Sequence, residues 1–589
     1  MCGVFGYVGR QTRAAEIVFQ GIKELEYRGY DSWGEAFWEE GKTEQLTVYK
    51  QVGKIEQSPP FTPSCLALGH TRWATHGKVT VDNSHPHLDC TGRLALVHNG
   101  IIENFDLLKS DLVQKGHRFV SETDSEVAAH LLEEELKHFS DFGQAFAATF
   151  AKLSGLNALV VLDTQTHKLY AAKIGSPLVI GLGREESLIA SDANALLPHT
   201  RRVVYLEDGQ GAILSREETV FLNLKTQEKV SPLIFELSPT NVSTQPGNFP
   251  HLMLKEIFEQ PHIIRQIPQN SASEVKSLAQ LIRQAFGTYL VGCGTAAHAC
   301  LFGQYLLAKV AQRHVNFAYG SEFGFLTNFL TPRSLVLAIS QSGETIDIIE
   351  AVNKAKEKGA KIGALVNVLG STLYRKADFR LLLGAGPEKA VAATKSFTAK
   401  LALLVMLAYE LADDLAKGQK ELAETSVEIE RILADTTPYQ KLAQMLEAKE
   451  HLYLVGRGLS YPLALEAALK IKEISYIHAE GYAAGELKHG VIALIEGGTP
   501  CVVLAPEDEA YGAVMSGAME LKARGAYVIG VAAKNRPEVF DYHLAVKDTG
   551  VSTAITQAVV GQLLAYYLAK ERGCEIDKPR NLAKSVTVK

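Results

Sequence analysis

The second residue of the chain could act as a nucleophile. Cys2 directly follows Met1, and removal of that methionine would leave a thiol and a free α-amine on one residue. In small peptides the amine titrates near ~7.7–8.0 and the thiol near ~8.5, so the amine can accept or relay the thiol proton at neutral pH. A thiol with its own base at the start of the chain makes acyl transfer feasible. A small buried residue that opens a strand is the alternative interpretation.

A hydroxyl-rich loop in the second half of the chain could bind a phosphate. A strand predicted over 334–339 runs into Ser-Gln-Ser-Gly-Glu-Thr at 340–345, and a helix is predicted from about Ile346. Glycine allows close backbone approach, hydroxyls donate hydrogen bonds, and a helix N-terminus favours an anion. A serine-rich turn that only caps the helix is the alternative.

Two further patterns have chemical potential. The segment 292–297, Gly-Cys-Gly-Thr-Ala-Ala, fits a loose nucleotide-binding pattern, but no acid follows at ~20 residues to hold a ribose. A sugar phosphate is therefore the better prediction. Glu466, Lys470 and Glu473 have helical spacing, which by itself favours a solvated face of ion pairs.

The elements of the first ~235 residues are mostly short strands separated by Gly, Asp and Pro turns. Amphipathic helices are predicted over 13–27 and 125–136. A sandwich of antiparallel sheets flanked by helices fits this pattern. The segment 238–250 is rich in Pro, Ser, Thr, Asn and Gly, as interdomain linkers are.

The remainder alternates β-branched apolar runs with long helices, which indicates parallel sheets with crossover helices. It also contains an internal repeat, because Tyr-Leu-Val-Gly-Cys-Gly at 289–294 recurs as Tyr-Leu-Val-Gly-Arg-Gly at 453–458. Two copies of one α/β domain are therefore predicted over roughly 280–425 and 445–575. The second copy has Pro-Glu-Asp-Glu at 506–509 in place of the serine loop, so only the first copy should bind phosphate.

Composition limits the possible partners and compartments. The 589 residues are enough for two to four cores, and 60 basic against 66 acidic residues give a net charge of −6, which disfavours nucleic acid. The apolar run 401–409 is too short to cross a bilayer, and the N-terminal residues show neither the basic segment nor the apolar run expected of a signal peptide. No membrane partner and a cytoplasmic location are expected. Seven scattered cysteines and five histidines between 70 and 98 suggest neither disulfides nor a metal.

Four motifs of the first half resemble the glutaminase domain of N-terminal-nucleophile amidotransferases. They are Tyr-Arg-Gly-Tyr-Asp-Ser at 27–32, His-Thr-Arg-Trp-Ala-Thr-His-Gly at 70–77, His-Asn-Gly-Ile-Ile-Glu-Asn at 98–104 and Glu-Thr-Asp-Ser-Glu at 122–126. An αββα sandwich is the fold that this resemblance implies. The capping-box spacing of Thr123 and Glu126 leaves a second interpretation, in which Asp124 is only an acid in the first turn of a helix.

The resemblance also implies a role for each residue of the glutaminase site. Cys2 would be the nucleophile, and Asn99 with the backbone N–H of Gly100 would stabilise the oxyanion. Trp73 would gate an ammonia passage. The glutamine-binding residues would be Arg72 for the α-carboxylate, Asp124 for the α-ammonium, and Thr75 and His76.

The second half resembles the sugar isomerase (SIS) domains of the glucosamine-6-phosphate synthase family. The resemblance rests on the two copies, the serine loop, Glu-Ala-Ala-Leu-Lys-Ile-Lys-Glu at 466–473, Glu-Leu-Lys-His-Gly at 486–490 and Arg-Asn-Leu-Ala-Lys-Ser-Val-Thr-Val at 580–588. It implies a Schiff base on Lys584, a proton shuttle on Glu473, ring opening by His489 from a neighbouring subunit, and charge support from Lys470. The phosphate ligands would be Thr295, Ser340, Gln341, Ser342 and Thr345.

The family resemblance covers nearly the whole chain and implies an α/β and α+β enzyme. Glutamine and fructose 6-phosphate would be its substrates, glucosamine 6-phosphate its product, a homodimer its assembly, and no cofactor or metal would be needed. The implied domains are a glutaminase domain at 1–237, a linker at 238–250, SIS domains at 251–435 and 436–575, and a closing tail at 576–589. An isomerase or deaminase with an inactive front domain, and a sugar-phosphate sensor, are the rival functions.

The sequence departs from the family pattern at a few positions. Trp33 and Glu35 replace small and apolar residues, which puts the packing beside the glutamine pocket in doubt. Ala296 and Ala393 stand where serine is usual, and Lys589 where an acid is common. The chain lacks the insertion that eukaryotic members carry in the glutaminase half, so a bacterial-type enzyme without sugar-nucleotide feedback is expected.

Overall fold

A computed structural model describes residues 2–39, 41, 45–237 and 246–587. The described residues fall into two compact units, of which the first comprises residues up to 237 with 585–587, and the second comprises 246–584. Most of the predicted linker, residues 238–245, and the departure at Lys589 lie outside the described residues.

The first unit is built on two antiparallel sheets. The eight-stranded sheet has the order β14-β11-β9-β10-β1-β4-β2-β3, and the six-stranded sheet has the order β13-β12-β8-β7-β6-β5. The strands are β1 Gly3–Gly9, β2 Ser32–Glu39, β3 Leu46–Val52, β4 Ser64–Arg72, β5 His87–Leu88, β6 Leu94–Gly100, β7 Asn157–Asp163, β8 Lys168–Ile174, β9 Val179–Leu182, β10 Glu186–Ala190, β11 Arg202–Tyr205, β12 Gln210–Leu214, β13 Thr219–Asn223 and β14 Phe235–Glu236.

Helices cover the outer faces of these sheets. They are α1 Ala14–Glu24, α2 Phe105–Gln114, α3 Glu126–Glu135 and α4 Phe142–Ala151. One apolar cluster joins the inner faces of both sheets, including Val4 and Val97. A second packs α1 on the eight-stranded sheet, and a third packs α3 and α4 on the six-stranded sheet. The layers are therefore αββα, as predicted.

The second unit contains two parallel five-stranded sheets with the same topology. Their orders are β16-β15-β17-β18-β19 and β21-β20-β22-β23-β24, so in each sheet the first strand lies between the second and the third. The strands are β15 Gly287–Gly292, β16 Asn316–Tyr319, β17 Ser334–Ser340, β18 Lys361–Val366, β19 Phe379–Leu382, β20 His451–Gly456, β21 His478–Ala483, β22 Pro500–Ala505, β23 Tyr527–Ala532 and β24 Tyr542–Ala545. The predicted duplication is confirmed.

The helices of this unit pack the two sheets onto one shared core. They are α5 Leu252–Asn270, α6 Ala272–Gln284, α7 Thr295–Ala311, α8 Gly320–Phe323, α9 Ile346–Glu357, α10 Thr372–Lys376, α11 Lys395–Leu411, α12 Leu415–Ala434, α13 Thr437–Leu446, α14 Tyr461–Ser475, α15 Tyr511–Ala523 and α16 Thr553–Glu571. A single apolar cluster contains Phe302 and Leu404 of the first copy and Leu463 and Leu563 of the second. The two copies thus bury their helices against each other.

Helix α11 contains the apolar run 401–409 and is buried along nearly its whole length, as expected for a core helix. Among the described residues, one segment, Gly550–Glu571, has the length and apolar composition of a membrane span. Its apolar window is 94% buried inside the fold, so this helix is accounted for by core packing.

Candidate active sites

The thiol of Cys2 lies at the start of a central strand of the first unit. Strand β1 follows immediately and pairs with β10 on one side and β4 on the other. The Cys2 Sγ donates to the Trp73 carbonyl oxygen at 3.6 Å and accepts from the Trp73 backbone N–H at 3.3 Å. Burial raises the pKa of the thiol, and the Trp73 N–H and the Arg72 charge oppose this only in part. The thiol therefore needs a nearby base to react.

Asn99 and Gly100 come to the same place from the end of β6. The Asn99 Nδ2 donates to the carbonyl oxygen of Cys2 at 3.1 Å, and its Oδ1 faces the His70 Nε2 at 3.0 Å. Gly100 has a φ of +145°, and a Cβ there would lie 2.1 Å from the Leu156 carbonyl oxygen. Only glycine fits this turn, which leaves its backbone next to Asn99.

The guanidinium of Arg72 organises the loop that follows β4. Its nitrogens donate to the carbonyl oxygens of Lys78 at 3.1 Å, Gly77 at 3.3 Å and His76. Burial lowers the pKa of Arg72, and the neighbouring Cys2 and acidic side chains oppose this. The structure thus places a buried cation close to the thiol.

Asp124 is a second buried charge in this region. Its Oδ2 accepts from the Ile102 backbone N–H at 2.7 Å, and α3 begins only at Glu126. The capping-box interpretation is wrong, because the Glu126 carboxylate accepts from the N–H groups of Val120 and Ser121 instead. Asp124 is therefore held before the helix and acts on Arg72 electrostatically.

The remaining predicted residues of the loop 73–78 are less enclosed. Trp73 is half-buried with its ring edge on Tyr30, at a centroid distance of 5.6 Å. His76 is half-buried with its ring 4.5 Å from that of Phe105, whereas Thr75 is exposed. The structure thus encloses Trp73 and His76 more than Thr75.

Four buried histidines lie behind the thiol. Burial lowers the pKa of His70 to about 3 and lowers those of His85, His87 and His98. The rings of His70 and His85 stack at 4.1 Å. Because the imidazoles are neutral, they serve as hydrogen-bonding supports, as His70 does for Asn99.

The two departures beside this pocket are both buried. The Trp33 ring packs on Phe19 at 5.7 Å. The Glu35 side chain is fully buried, neither carboxyl oxygen has a hydrogen-bond partner, and burial raises its pKa well above the usual range. The Trp33 ring is therefore accommodated by packing, although its indole N–H has no hydrogen-bond partner among the described residues, whereas Glu35 is a buried neutral acid.

The serine loop joins β17 to α9, as predicted. Gly343 has a φ of +67°, and its N–H donates to the Ser340 Oγ at 3.1 Å. The Ser340 Oγ also lies 3.2 Å from the Thr345 Oγ1, and the Ser342 Oγ accepts from the Glu344 N–H at 3.1 Å. The hydroxyls thus converge at the N-terminus of a twelve-residue helix.

The serine loop lies at the switch point of the parallel sheet, where open α/β folds bind their ligands. The strand order reverses between β15 and β17, and the segments after these two strands open a crevice at their carboxyl ends. Thr295 begins α7 after β15, and Ser340 ends β17. The Gln341 carbonyl oxygen accepts from the Asn367 N–H at 3.0 Å, which fixes the loop to the segment after β18.

Helix α14 of the second copy brings its charged face to the same crevice. Lys470 is ion-paired with Glu473 and lies 3.5 Å from Glu466. Glu466 accepts from the Thr295 Oγ1 at 3.0 Å and contacts the His298 Nδ1 at 2.7 Å. The interpretation as a solvated face is wrong, because the side chains of Lys470 and Glu466 are only 1% and 2% exposed.

Lys584 is buried in an ion pair. Its Nζ donates to the Glu388 Oε2 at 2.6 Å and to the Ala390 carbonyl oxygen at 2.7 Å. Burial alone would raise the pKa of Glu388, but Lys584 and the N–H groups of Ser396 and Thr394 lower it to about 2. Sequence reasoning missed Glu388, whose only signal is a single acid in a stretch of small residues.

Further buried ionisable groups surround this pair. Burial and the Glu388 charge raise the pKa of Glu256 to about 8, and burial lowers the pKa of Lys400 to about 8. Although burial lowers the pKa of Lys470, the charges of Glu473 and Glu466 raise it. Such displaced pKa values cluster at catalytic sites.

Among the described residues, His489 makes no hydrogen bond or ion pair with this cluster. It ends the short 3₁₀ helix Ala484–His489 and is exposed. Of the two departures near the sugar site, Ala296 is buried in the first turn of α7, and Ala393 is half-buried. Neither offers a hydroxyl to the crevice.

Comparison with known proteins agrees with this two-part layout. A family model described as a glutamine amidotransferase domain matches residues 70–198, and one described as an SIS domain matches 281–409 and 445–572. The C-terminal domain of glucosamine-fructose-6-phosphate aminotransferase from Francisella tularensis superposes with a TM-score of 0.54. It is 33% identical, and the match covers 57% of this chain and all of that one.

Curated relatives extend the similarity to the whole chain. A protein of Thermococcus kodakarensis named glutamine–fructose-6-phosphate aminotransferase (isomerizing) is 43% identical over 605 aligned residues, with both chains fully covered. A protein of Pyrococcus horikoshii with the same name is 42% identical, again over the full length of both chains.

Proposed function

We propose a division of labour among these residues, from the premise that the chain belongs to the glutamine–fructose-6-phosphate aminotransferase (isomerizing) family. Its reaction is the glutamine-dependent conversion of fructose 6-phosphate to glucosamine 6-phosphate. The first unit releases ammonia from glutamine, and the second unit transfers it to the sugar.

In the first unit, the Cys2 thiol attacks the glutamine side-chain amide. The α-amine left by removal of Met1 takes the thiol proton. Such a base is needed because burial raises the pKa of the thiol. The Asn99 Nδ2 and the Gly100 N–H stabilise the oxyanion. Removal of one such donor raises the activation free energy by about 3–4 kcal/mol. Arg72 and Asp124 hold the α-carboxylate and α-ammonium, with His76 and Thr75 at the rim and Trp73 as the ammonia gate.

In the second unit, the sugar phosphate lies at the switch point of the first copy. Its phosphate accepts hydrogen bonds from Ser340, Gln341, Ser342 and Thr345 of the serine loop, at a helix N-terminus that favours an anion. Thr295, the first residue of α7, donates a further hydrogen bond. The phosphate then places C1 and C2 of the open-chain ketose toward the buried lysines.

The amination proceeds through an imine. The Lys584 amine adds to C2 of fructose 6-phosphate and water leaves; ammonia then replaces the lysine at C2. Glu473 removes a proton from C1 and returns it to C2, which converts the ketose imine into the aldose amine. Lys470, paired with Glu473, balances the charge. His489 assists ring opening in the site of a neighbouring subunit of a homodimer.

The proposal rests mainly on one observation: Lys584, five residues before the chain end, is 4% exposed and paired with a fully buried Glu388. Stability alone does not require a buried ion pair at this place, because a pair of apolar side chains would be as stable or more stable. The domain boundaries and a cytoplasmic location follow the sequence prediction and remain part of this proposal.

Two experiments test the two halves separately. Cys2→Ala should abolish product formation from glutamine while product formation from ammonia persists; unchanged use of glutamine would refute the role of Cys2 as nucleophile.

Borohydride reduction in the presence of fructose 6-phosphate should add one sugar phosphate to Lys584, detected by peptide mass spectrometry. Lys584→Arg should remove the adduct, and an adduct on another lysine would refute the Schiff-base role.

A further inference from the structure

Four side chains that the reaction does not use converge in the first unit. Cys90 lies in the loop after β5, His117 lies between α2 and α3, and His130 and Glu133 lie on α3. One ligand atom from each lies within 4.8 Å of the others. A thiol, two imidazoles and a carboxylate are the ligand types that bind Zn²⁺ in proteins.

Four of the six separations between ligand atoms in this Cys90 cluster fit a tetrahedral ion. With metal–sulfur bonds of about 2.3 Å and metal–nitrogen or metal–oxygen bonds of about 2.0–2.2 Å, tetrahedral angles require S···N near ~3.6 Å and N···O near ~3.4 Å. The Cys90 Sγ lies 3.7 Å from the His117 Nδ1 and 3.5 Å from the His130 Nδ1. The Glu133 Oε2 lies 3.1 Å and 3.4 Å from the same two nitrogens.

Both imidazoles are oriented as metal ligands are. Each turns Nδ1 toward the cluster: the His117 Nε2 lies 3.1 Å from the Glu134 carboxylate behind it, whereas the His130 Nε2 lies 3.5 Å from Glu126 and makes no hydrogen bond within the described part of the chain. A carboxylate behind a ligating histidine fixes the tautomer in which the inner nitrogen is free to bind metal.

The two imidazoles are buried side by side, with ring centroids 5.4 Å apart and side chains only 2–3% exposed. The Glu133 Oε2 between them also accepts from the Cys90 backbone N–H at 3.0 Å. A divalent cation at this place would use two neutral rings, and its charge would balance one thiolate and one carboxylate. The Arg118 N–H, 3.5 Å from the Cys90 Sγ, suits a thiolate as well.

We propose that Cys90, His117, His130 and Glu133 form a structural Zn²⁺ site. All four positions are filled by protein atoms, so no position is left for substrate and the ion is structural rather than catalytic. It joins the loop after β5, the connection between α2 and α3, and α3 itself. Asp124 lies just before α3, so the ion would stiffen the segment that presents this carboxylate.

The test is metal analysis and spectroscopy of the untagged full-length enzyme. After equilibration with zinc and removal of loosely bound metal, we expect about one zinc ion per chain. Replacement by Co²⁺ should give the intense visible bands of a four-coordinate ion and a near-ultraviolet thiolate-to-cobalt band. A stoichiometry well below one, or a cobalt spectrum without the thiolate band, would overturn the site without the need for any variant.

Variants then assign the ligands. Cys90→Ser should weaken zinc binding at least 100-fold and remove the thiolate band, and Glu134→Gln, behind His117, should weaken it about 10-fold. The controls are Cys574→Ser and Glu135→Gln. The Glu135 carboxylate pairs with Lys152 and not with either histidine, so both controls should bind zinc like the wild type. Wild-type affinity in Cys90→Ser would overturn the proposal.

Discussion

The two parallel sheets of the second unit share one strand order, yet they differ at the loop where ligands bind. After β17 the first copy has hydroxyls converging on a helix N-terminus. After β22 the second copy has acids that are already paired, Glu509 with Lys309 at 2.6 Å and Glu507 with Lys534 at 2.8 Å. The fold was duplicated, but a phosphate site is proposed for one copy only.

A second difference lies at the loop before the last helix of each copy. In the first copy this loop contains Glu388, which holds Lys584. In the second copy the corresponding loop has Thr549 bonded to Thr425 and Thr553, with no buried ion pair among these residues. The groups proposed for catalysis are therefore distributed unequally between the copies, and α14 of the second copy brings Glu466 to Thr295 of the first.

The largest effect should follow removal of the carboxylate that distinguishes the first copy. Glu388→Gln leaves the buried Lys584 ammonium without its counterion, which we expect to destabilise the second unit by about 3–5 kcal/mol. Denaturant unfolding of the variant measures this loss. The double variant Glu388→Gln/Lys584→Met should recover much of the stability; a double variant as unstable as the single one would contradict the ion-pair explanation.

The next effect should follow conversion of the first loop toward the second. Ser342→Glu places a carboxylate where the phosphate is proposed to bind, and like charges at close range cost several kcal/mol. The KM for fructose 6-phosphate should rise roughly 100-fold, with glutamine hydrolysis unchanged. The matched change Glu507→Gln in the second loop should leave the KM within about twofold. Equal effects of the two changes would break the comparison.

A backbone substitution should have a smaller effect. Gly343→Ala puts a Cβ at a φ of +67° and within 2.1 Å of the Ser371 Oγ, so we expect a loss of about 2 kcal/mol in stability or an equivalent rise in KM. Gly512→Ala in α15 of the second copy has open space around the new Cβ. Thermal unfolding should show that this control is neutral or slightly stabilised.

The smallest effect concerns Glu35, a buried acid whose environment is opposite to that of Glu388. Burial raises the pKa of Glu35 in the folded chain, so the unfolded chain releases this proton at lower pH than the folded chain. The free energy of unfolding therefore falls as the pH rises above the pKa of Glu in the unfolded chain, about 4.3. Glu35→Gln should therefore stabilise the first unit by about 1 kcal/mol at pH 8 and by less at pH 5. Unfolding curves at both pH values test this, with exposed Glu103→Gln as the control; a gain independent of pH would contradict it.

Much of the architecture could be predicted from the sequence because it follows from local periodicity. The helix predicted over 13–27 is α1, Ala14–Glu24, and the strand predicted over 334–339 is β17, Ser334–Ser340. The internal repeat identified the duplication because equivalent strands keep the same apolar pattern in both copies. The αββα layers followed from the resemblance, which the two packed sheets confirm.

The missed features depend on contacts between distant segments. The spacing of Glu466, Lys470 and Glu473 is that of an exposed helix face, but the tertiary packing of α14 buries Glu466 and Lys470. Glu466 contacts Thr295 and His298 of α7. Glu388 has no motif of its own. The Cys90 cluster comes from three segments, so a search for closely spaced ligand pairs does not find it. Buried polar groups of this kind require the tertiary structure.

The position of Cys2 directly before a central strand has a practical consequence for anyone who handles the enzyme. Strand β1 pairs with β4 from Gly3 and with β10 from Phe5. A purification peptide fused before Cys2 would convert its free amine into an amide. Because Lys584 is buried near the other terminus, a fusion at that end is also hazardous. An exposed turn such as the one at Gly497, where an added Cβ would meet nothing within 4 Å, is the safer place to insert a reporter.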